Sequence, residues 1–290
     1  MKTLTVAKKY SGKCFTPKDI ARINQLITDN PEAHRAALSR LVCQLFNWKK
    51  MNGDLKEMSC RVAMLAMDRD NIICLPEPRR TKPPCQVNKK RTPEGEPGKP
   101  IHCAVTELND LQFQIVTPAN SALWNELIDR YHYLGYTPMS GAQLRYFVYS
   151  NNQPIALLSF GASAWMTAPR DQFIGWQTSQ REARLHQIIN NARFLILPWI
   201  RVPHLASKLL SMVAKRVQSD WFDRYHYQPV LLETFVATEY FKGTCYKAAN
   251  WQCLGTTTGR GKKGDQKTNI GIKSVWVYPL TRHFKKILCA

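Results

Sequence analysis

The stretch from Arg193 to Gly255 restricts the fold more than any other part of this 290-residue chain. Phe194-Leu195-Ile196-Leu197 is an apolar run closed by Pro198, which suits a short buried strand better than a helix. After the turn-like Arg201-Val202-Pro203-His204, the residues Ala206, Leu209, Leu210, Val213, Val217 and Trp221 recur at helical spacing, with Lys208, Lys215 and Arg216 on the other face. A second apolar run, Val230-Leu231-Leu232, carries Glu233 into Thr234-Phe235-Val236. A short helix over Thr244 to Asn250 and a strand start at Cys253-Leu254-Gly255 follow. Strand, turn, long helix and strand form a parallel crossover, and α/β cores of this kind place ligands at strand ends.

The flanks divide the chain into a helical first domain over residues 1–76, a linker over 77–104 and an α/β domain over 105–290. In the first, Pro17 starts a helix through Ile20, Ile23, Leu26 and Ile27. A second helix spans about Glu32 to Phe46, and a third, after the Asn52-Gly53 turn, holds Leu55, Met58, Val62 and Leu65. Asn71 to Pro76 is strand-like, and a basic extension at Arg79 and Arg80 follows. That order suits a winged-helix or helix-turn-helix DNA-binding domain, with Lys56 and Arg61 as groove or phosphate contacts. A plain helical bundle is the alternative. The linker combines many prolines with Lys89, Lys90 and Arg91, an extended segment suited to tracking a phosphate backbone. In the last domain a helix through Trp124 and Ile128 ends at Gly135, and Asn151-Asn152 joins two strands as a hairpin.

Charge points to the partner. Lys and Arg outnumber Asp and Glu by 41 to 21, and the excess is concentrated at the two ends of the chain. This polarity predicts a polyanion, DNA first with RNA as the alternative. No apolar run is long enough for a membrane span, and the N-terminus lacks a secretory hydrophobic region. The nine cysteines include no CxxC pair and read as reduced structural thiols in a cytoplasmic protein.

Two resemblances follow from these segments. The element order over residues 121–280 resembles the GNAT acyltransferase fold: a GNAT-like mixed sheet with flanking helices, of the α/β (α+β) class. That family binds the acyl-CoA pyrophosphate at a turn of Arg or Gln, two residues, Gly, one residue, then Gly or Ala. Here Arg201 and Ala206 fit, whereas His204 replaces the glycine and Pro203 removes an N–H donor, which speaks against acetyl-CoA. Tyr246 falls where that family often keeps a tyrosine general acid. A second resemblance covers nearly the whole chain. Tyr131 to Tyr136, Arg193 to Pro198, Leu232 to Val236 and Gly243 to Trp251 resemble the DruA family, named for the Druantia anti-phage system and also encoded in transposon-like elements. The resemblance implies a role in defence or element mobility, with partner proteins of either system.

Each candidate for chemistry has a plainer alternative. Glu233 interrupts an apolar strand, so it is a general base, a metal ligand, or a carboxylate paired with a nearby arginine. With Asp171 it could hold Mg2+ or another divalent ion for phosphodiester cleavage, although Arg170-Asp171 also suits a turn. With His132 as base, Tyr133 or a neighbouring tyrosine could attack a phosphate; the same cluster could stack on unpaired bases, or simply pack. Arg181 and Arg184 share one face of a helix and could grip a phosphate. Arg260, Lys262 and Lys263 lie in a glycine-rich run that suits phosphate tracking. Three functions stay open: DNA binding with nicking or strand transfer, CoA-dependent acyl transfer, and non-catalytic DNA binding within a larger complex. A homodimer fits the first domain.

Overall fold

The computed structural model describes residues 6–79, 91–108, 110–259 and 271–290, in two units, Met1–Val87 and Asn88–Ala290. Arg80, Lys89, Lys90, Arg260, Lys262 and Lys263 lie outside the described residues.

The first unit opens with a hairpin that the sequence reading did not anticipate, β1 (Lys8–Tyr10) and β2 (Lys13–Phe15). Its turn is Ser11-Gly12, both at positive φ, the backbone that a two-residue hairpin loop requires. Helix α1 (Pro17–Thr28) starts from a reciprocal cap in which Thr16 and Asp19 satisfy each other's backbone N–H groups. Helices α2 (Arg35–Leu45) and α3 (Glu57–Arg69) follow. Phe15, Ile23, Leu38, Val42, Met64 and Met67 close one core between them. Cys43 and Cys60 are buried within it as free thiols.

The strand expected over Asn71 to Pro76 does not form. Asn71 turns left-handed at φ 59°, its N–H bonds the Asp68 carbonyl, and the Ile72 N–H bonds the Met67 carbonyl. These are the two bonds of a Schellman helix stop. Ile72 and Ile73 are buried as the anchor of that stop. The strand-like start of the wing expected after the third helix is therefore a helix terminus, and the basic extension beyond Arg79 lies outside the described residues.

The second unit contains β3 (Ile101–His102), β4 (Gln112–Ile115), α4 (Ser121–Tyr131), β5 (Gln143–Ser150), β6 (Gln153–Ala162), α5 (Ala168–Ile174), α6 (Thr178–Arg184), β7 (Ile188–Ile196), β8 (Ile200–Arg201), α7 (Leu205–Tyr225), β9 (Leu231–Ala237), α8 (Thr244–Ala248), β10 (Gln252–Thr256), β11 (Lys273–Pro279) and α9 (Phe284–Leu288). Seven strands form one mixed sheet in the order β10-β11-β9-β7-β6-β5-β4. Its pairs are antiparallel except β7 with β9. That parallel pair is joined through α7, as the opening stretch predicted, and flanking helices complete the α/β class. The strand at Arg193 starts five residues earlier than expected, because α6 ends at Arg184 and a short 3-10 turn leads into Ile188.

Local chemistry explains the main elements. Asn151 and Asn152 both take positive φ in the β5–β6 hairpin. Leu209, Leu210, Val213, Val217 and Trp221 make one fully buried face of α7, each contributing about 1.5–3 kcal/mol of apolar burial. Consecutive residues of β5 show which helix covers which face. Arg145 reaches α4, donating to Asn125 and Ser121 at 2.8 and 2.9 Å, whereas the Tyr146 hydroxyl reaches Asp220 on α7 at 2.8 Å. Adjacent strand residues point to opposite faces, so α4 and α7 cover opposite sides of the sheet.

The expected linker is not uniform. From residue 91 onward the described chain belongs to the second unit. Thr92 donates its N–H and hydroxyl to Glu126 at 2.8 and 2.9 Å, and β3 pairs with β8. Gly95 lies so close to the Glu126 carboxylate that any Cβ would overlap it. Proline content predicted an extended segment, but not the buried carboxylate that binds it.

Candidate functional site at the split in the sheet

β7 and β9 pair only over Ile188–Asn190 with Leu231–Glu233. Beyond that point β7 continues beside β6 alone and β9 beside β11 alone. The sheet is open between them toward their C-terminal ends, where α/β folds bind ligands. A bulge in β7 sets what lines the opening. Asn191 opposes Phe160 and Arg193 opposes Ser159, leaving Ala192 as the extra residue. Phe160 packs edge-on against Tyr146, so Asn191 faces α7. Ser159 opposes Arg145, so Arg193 faces α4.

On the α7 side, Tyr246 donates its hydroxyl to Asn191 Oδ1 at 2.8 Å. Asn191 donates to the Ser159 and Arg193 carbonyls, and Thr234 donates to the Asn191 carbonyl at 3.0 Å. Tyr246 is 7% exposed, and burial pushes its pKa above that of an ordinary tyrosine. The phenol is a protonated, engaged donor at neutral pH.

On the α4 side, His132 ends α4 and stacks on Tyr133 with ring centroids 4.8 Å apart. Its Nδ1 accepts the Leu134 N–H at 3.2 Å, leaving the proton on Nε2. Burial first, and then the Arg193 charge, hold its pKa down to about 4. The ring is therefore neutral and its accepting nitrogen occupied, an arrangement that does not make it the proton acceptor anticipated for it. Tyr133, 44% exposed, touches Tyr240 and Phe241 at 5.5 and 5.3 Å. This aromatic bridge links the end of α4 to the chain after β9. Burial raises the Tyr133 pKa, and the Arg193 charge opposes that rise. Arg193 is half-buried and donates to the Ala192 carbonyl; no carboxylate pairs with it among the described residues.

The folded pKa of His132 lies below its unfolded value of 6.5. The stability this group contributes is thus present above pH 6.5 and lost as pH falls toward 4. An NMR titration of the His132 ring should give a midpoint near 4, and His132→Gln should flatten the loss of melting temperature across that window. A midpoint above 6 would contradict the geometry.

Glu233 sits on the other side of its strand from Thr234. It is 0% exposed, as is Arg170. Arg170 Nη1 donates to Glu233 Oε2 at 2.8 Å, and the Ala164 N–H donates to Oε1 at 2.7 Å. The same guanidinium donates to Asp171 Oδ1 at 2.7 and 2.9 Å, and Trp176 Nε1 also donates there. Burial pushes the Glu233 pKa up, against the pull of Arg170 and the Ala164 N–H. Glu233 and Asp171 do converge, but on an arginine. A guanidinium between the two carboxylates does not fit a divalent ion, and among the described residues no group of three or more His, Cys, Asp or Glu is placed to hold a metal. Glu233 pairs with Arg170 rather than with Arg193 or Arg201, and Asp171 is in α5 rather than a turn.

The basic candidates are dispersed. Lys56 is exposed at the N-cap position of α3, with no side-chain capping bond, and Arg61 is half-buried within the helix. Arg79 and Arg201 are exposed. Arg91 pairs with Asp129 at 3.2 Å. Arg181 lies 3.7 Å from Asp171 and beneath the Trp165 ring. Arg184 is half-buried at the end of α6. At the turn before α7, His204 adopts left-handed backbone at φ 63°, which favours the glycine it replaces. Asn191, Arg193, Tyr240 and Phe241 are functional candidates that sequence reasoning did not single out. An arginine inside an apolar strand run was the available signal for Arg193.

A family profile described as Druantia protein DruA matches residues 66–266. No curated protein matches the chain. Among solved structures, it is similar to the spermidine/spermine N-acetyltransferase SpeG from Vibrio cholerae, at 10% identity and a TM-score of 0.40, over 61% of this chain and 96% of that one. It is also similar to the ribosomal-protein-S18-alanine N-acetyltransferase from Escherichia coli, at 7% identity and a TM-score of 0.37, over 59% and 95% of the two chains. The aminoglycoside acetyltransferase AAC(6')-Ib in complex with coenzyme A and kanamycin gives 13% identity and a TM-score of 0.39, over 59% and 95%.

Proposed function

The chain belongs to the DruA family and is related to the Druantia defence system; on that premise we propose that it binds DNA and processes a strand at the split between β7 and β9. The observation that carries this reading is Arg193, a half-buried cation without a carboxylate partner among the described residues, beside the exposed rings of Tyr133, Tyr240 and Phe241. A strand presents the complementary chemistry. Its phosphate docks on the guanidinium and its bases stack on the rings. The formal charge of +20 supplies long-range attraction to the same ligand.

The processing step is assigned to Tyr133. Of the two candidate phenols, Tyr246 is committed to Asn191, whereas the Tyr133 ring is open to solvent. Attack of its hydroxyl oxygen on phosphorus forms a phosphotyrosine and breaks the bond to one deoxyribose oxygen. The tyrosine proton passes to water, and the leaving oxygen takes a proton from water. Labelled supercoiled and single-stranded DNA, incubated with and without Mg2+, tests the proposal. Arg193→Ala should weaken strand binding on the order of tenfold, the loss of one charge-assisted contact. Tyr133→Phe should bind but not nick. Nicking unchanged by Tyr133→Phe would remove the chemical assignment and leave the binding one.

Acyl transfer is the reading that the turn before α7 supports least, since Pro203 offers no N–H and His204 carries a side chain where the family places glycine. Millimolar acetyl-CoA should therefore leave the melting temperature within about 1 °C. A clear rise, as tight binding to the folded state requires, would favour the acyltransferase instead.

A further inference from the structure

We propose that Trp165 is a second stacking platform, one that takes a nucleobase of a single strand, and that the buried pair of Arg170 and Glu233 holds it in place. The inference rests on the nucleic-acid reading above but on a different part of the unit. The loop between β6 and α5 ends in two large apolar side chains that the core does not use, Trp165 at 57% and Met166 at 68% exposure. Loop tips are ordinarily mobile and polar. This one is tied on both sides of the tryptophan. Ser163 donates to the Leu185 carbonyl at 3.2 Å. The Ala164 N–H is held by Glu233 and the Ala164 carbonyl by Arg170, at 2.7 and 2.8 Å. The Thr167 N–H donates to Asp171 at 3.2 Å.

A buried ion pair is a weak source of net stability compared with apolar side chains of the same size. Its geometry here has a clearer consequence, because both partners grip the backbone of the residue before Trp165. The backbone on both sides of the indole is fixed, so ordering the loop on binding a ligand costs less. Arg181 lies 5.8 Å from the ring centroid and supports one face of it.

The chemistry of the patch selects the occupant. A flat aromatic face backed by a guanidinium suits a base stacked beneath a phosphate backbone, because every base has a π-face and the strand is anionic. Asp171 lies 3.7 Å from Arg181 but is also bound by Arg170 through its other oxygen, so its charge is shared between two guanidinium groups and opposes an anion only weakly. An apolar protein partner would use Trp165 and Met166 without need of Arg181.

The test uses the full chain and a fluorescent 20-nucleotide oligothymidine in anisotropy titrations. Trp165→Ala should weaken binding on the order of tenfold, with Trp165→Phe restoring most of it. The dependence of affinity on salt should stay as in the unaltered protein, since no phosphate contact is removed. The melting temperature should also stay unchanged. Unaltered binding by Trp165→Ala alongside weakened binding by Arg193→Ala would overturn this inference and leave the split as the strand site. No binding by the unaltered protein would overturn both.

Discussion

Glu233→Ala is expected to lower the melting temperature of the second unit by on the order of 10 °C. Arg170 is fully buried, and removing one partner of such a pair costs about 3–5 kcal/mol because the other charge stays desolvated. Asp171 remains on the same guanidinium, which keeps the cost near the lower figure. In a unit of about 200 residues each kcal/mol moves the transition by about 2–4 °C. The Ala164 N–H loses its acceptor as well, adding about 1 kcal/mol or more. A double replacement, Glu233→Leu with Arg170→Met, should recover part of the loss, because it removes the unpaired buried charge but leaves Asp171 and the Ala164 N–H and carbonyl without their partners. Calorimetry of the three proteins decides the matter. A Glu233→Ala variant that melts like the unaltered protein but loses DNA processing would show a catalytic carboxylate instead.

Glu233 also shows what could and could not be read in advance. The apolar run around it announced a buried strand, and the strand is there. Burial of a carboxylate requires a partner, but the partner is 63 residues away in α5, a distance no local pattern encodes. Arg170-Asp171 suits a turn by residue type, although Pro169 at the first turn of a helix is a usable start signal. The α7 crossover was legible for the opposite reason. Its signals were periodic and local, from Leu209 to Trp221.

The split in the sheet depends on pairing that stops at Asn190 and Glu233 and on one extra residue, Ala192. Neither leaves a trace in composition. Tyr133 and Tyr246 were both picked out by residue type, but the bulge decides that Asn191 and Arg193 face opposite helices and so separates their surroundings. In the first unit the misreading was local. Asn71-Ile72 looked like a strand start because Ile72 and Ile73 are apolar, and the helix stop used the same two residues. Ser11-Gly12 is a usable hairpin signal, but its three-residue flanking strands are too short to carry an alternating pattern.

DNA affinity is expected to fall by on the order of a thousandfold between 50 and 200 mM salt. Each neutralised phosphate releases counterions, and six or more contacts produce a loss of that size. The positive residues available for this lie in two regions that carry most of the excess charge, the chain before residue 105 and the chain after residue 255. The logarithmic slope can therefore be apportioned by substitution. Exchanging Arg260, Lys262 and Lys263 for glutamine should reduce it by about 2.7, if three is the number of phosphates those residues neutralise. Arg193→Ala should reduce it by about 0.7, the value for one phosphate of a single strand, and also weaken binding at every salt concentration. Trp165→Ala should leave it alone. Affinity that does not change with salt would remove nucleic acid as the ligand of the split and of Trp165 together. A slope that falls with the basic run but not with Arg193→Ala would keep DNA as the partner and move the strand away from the split.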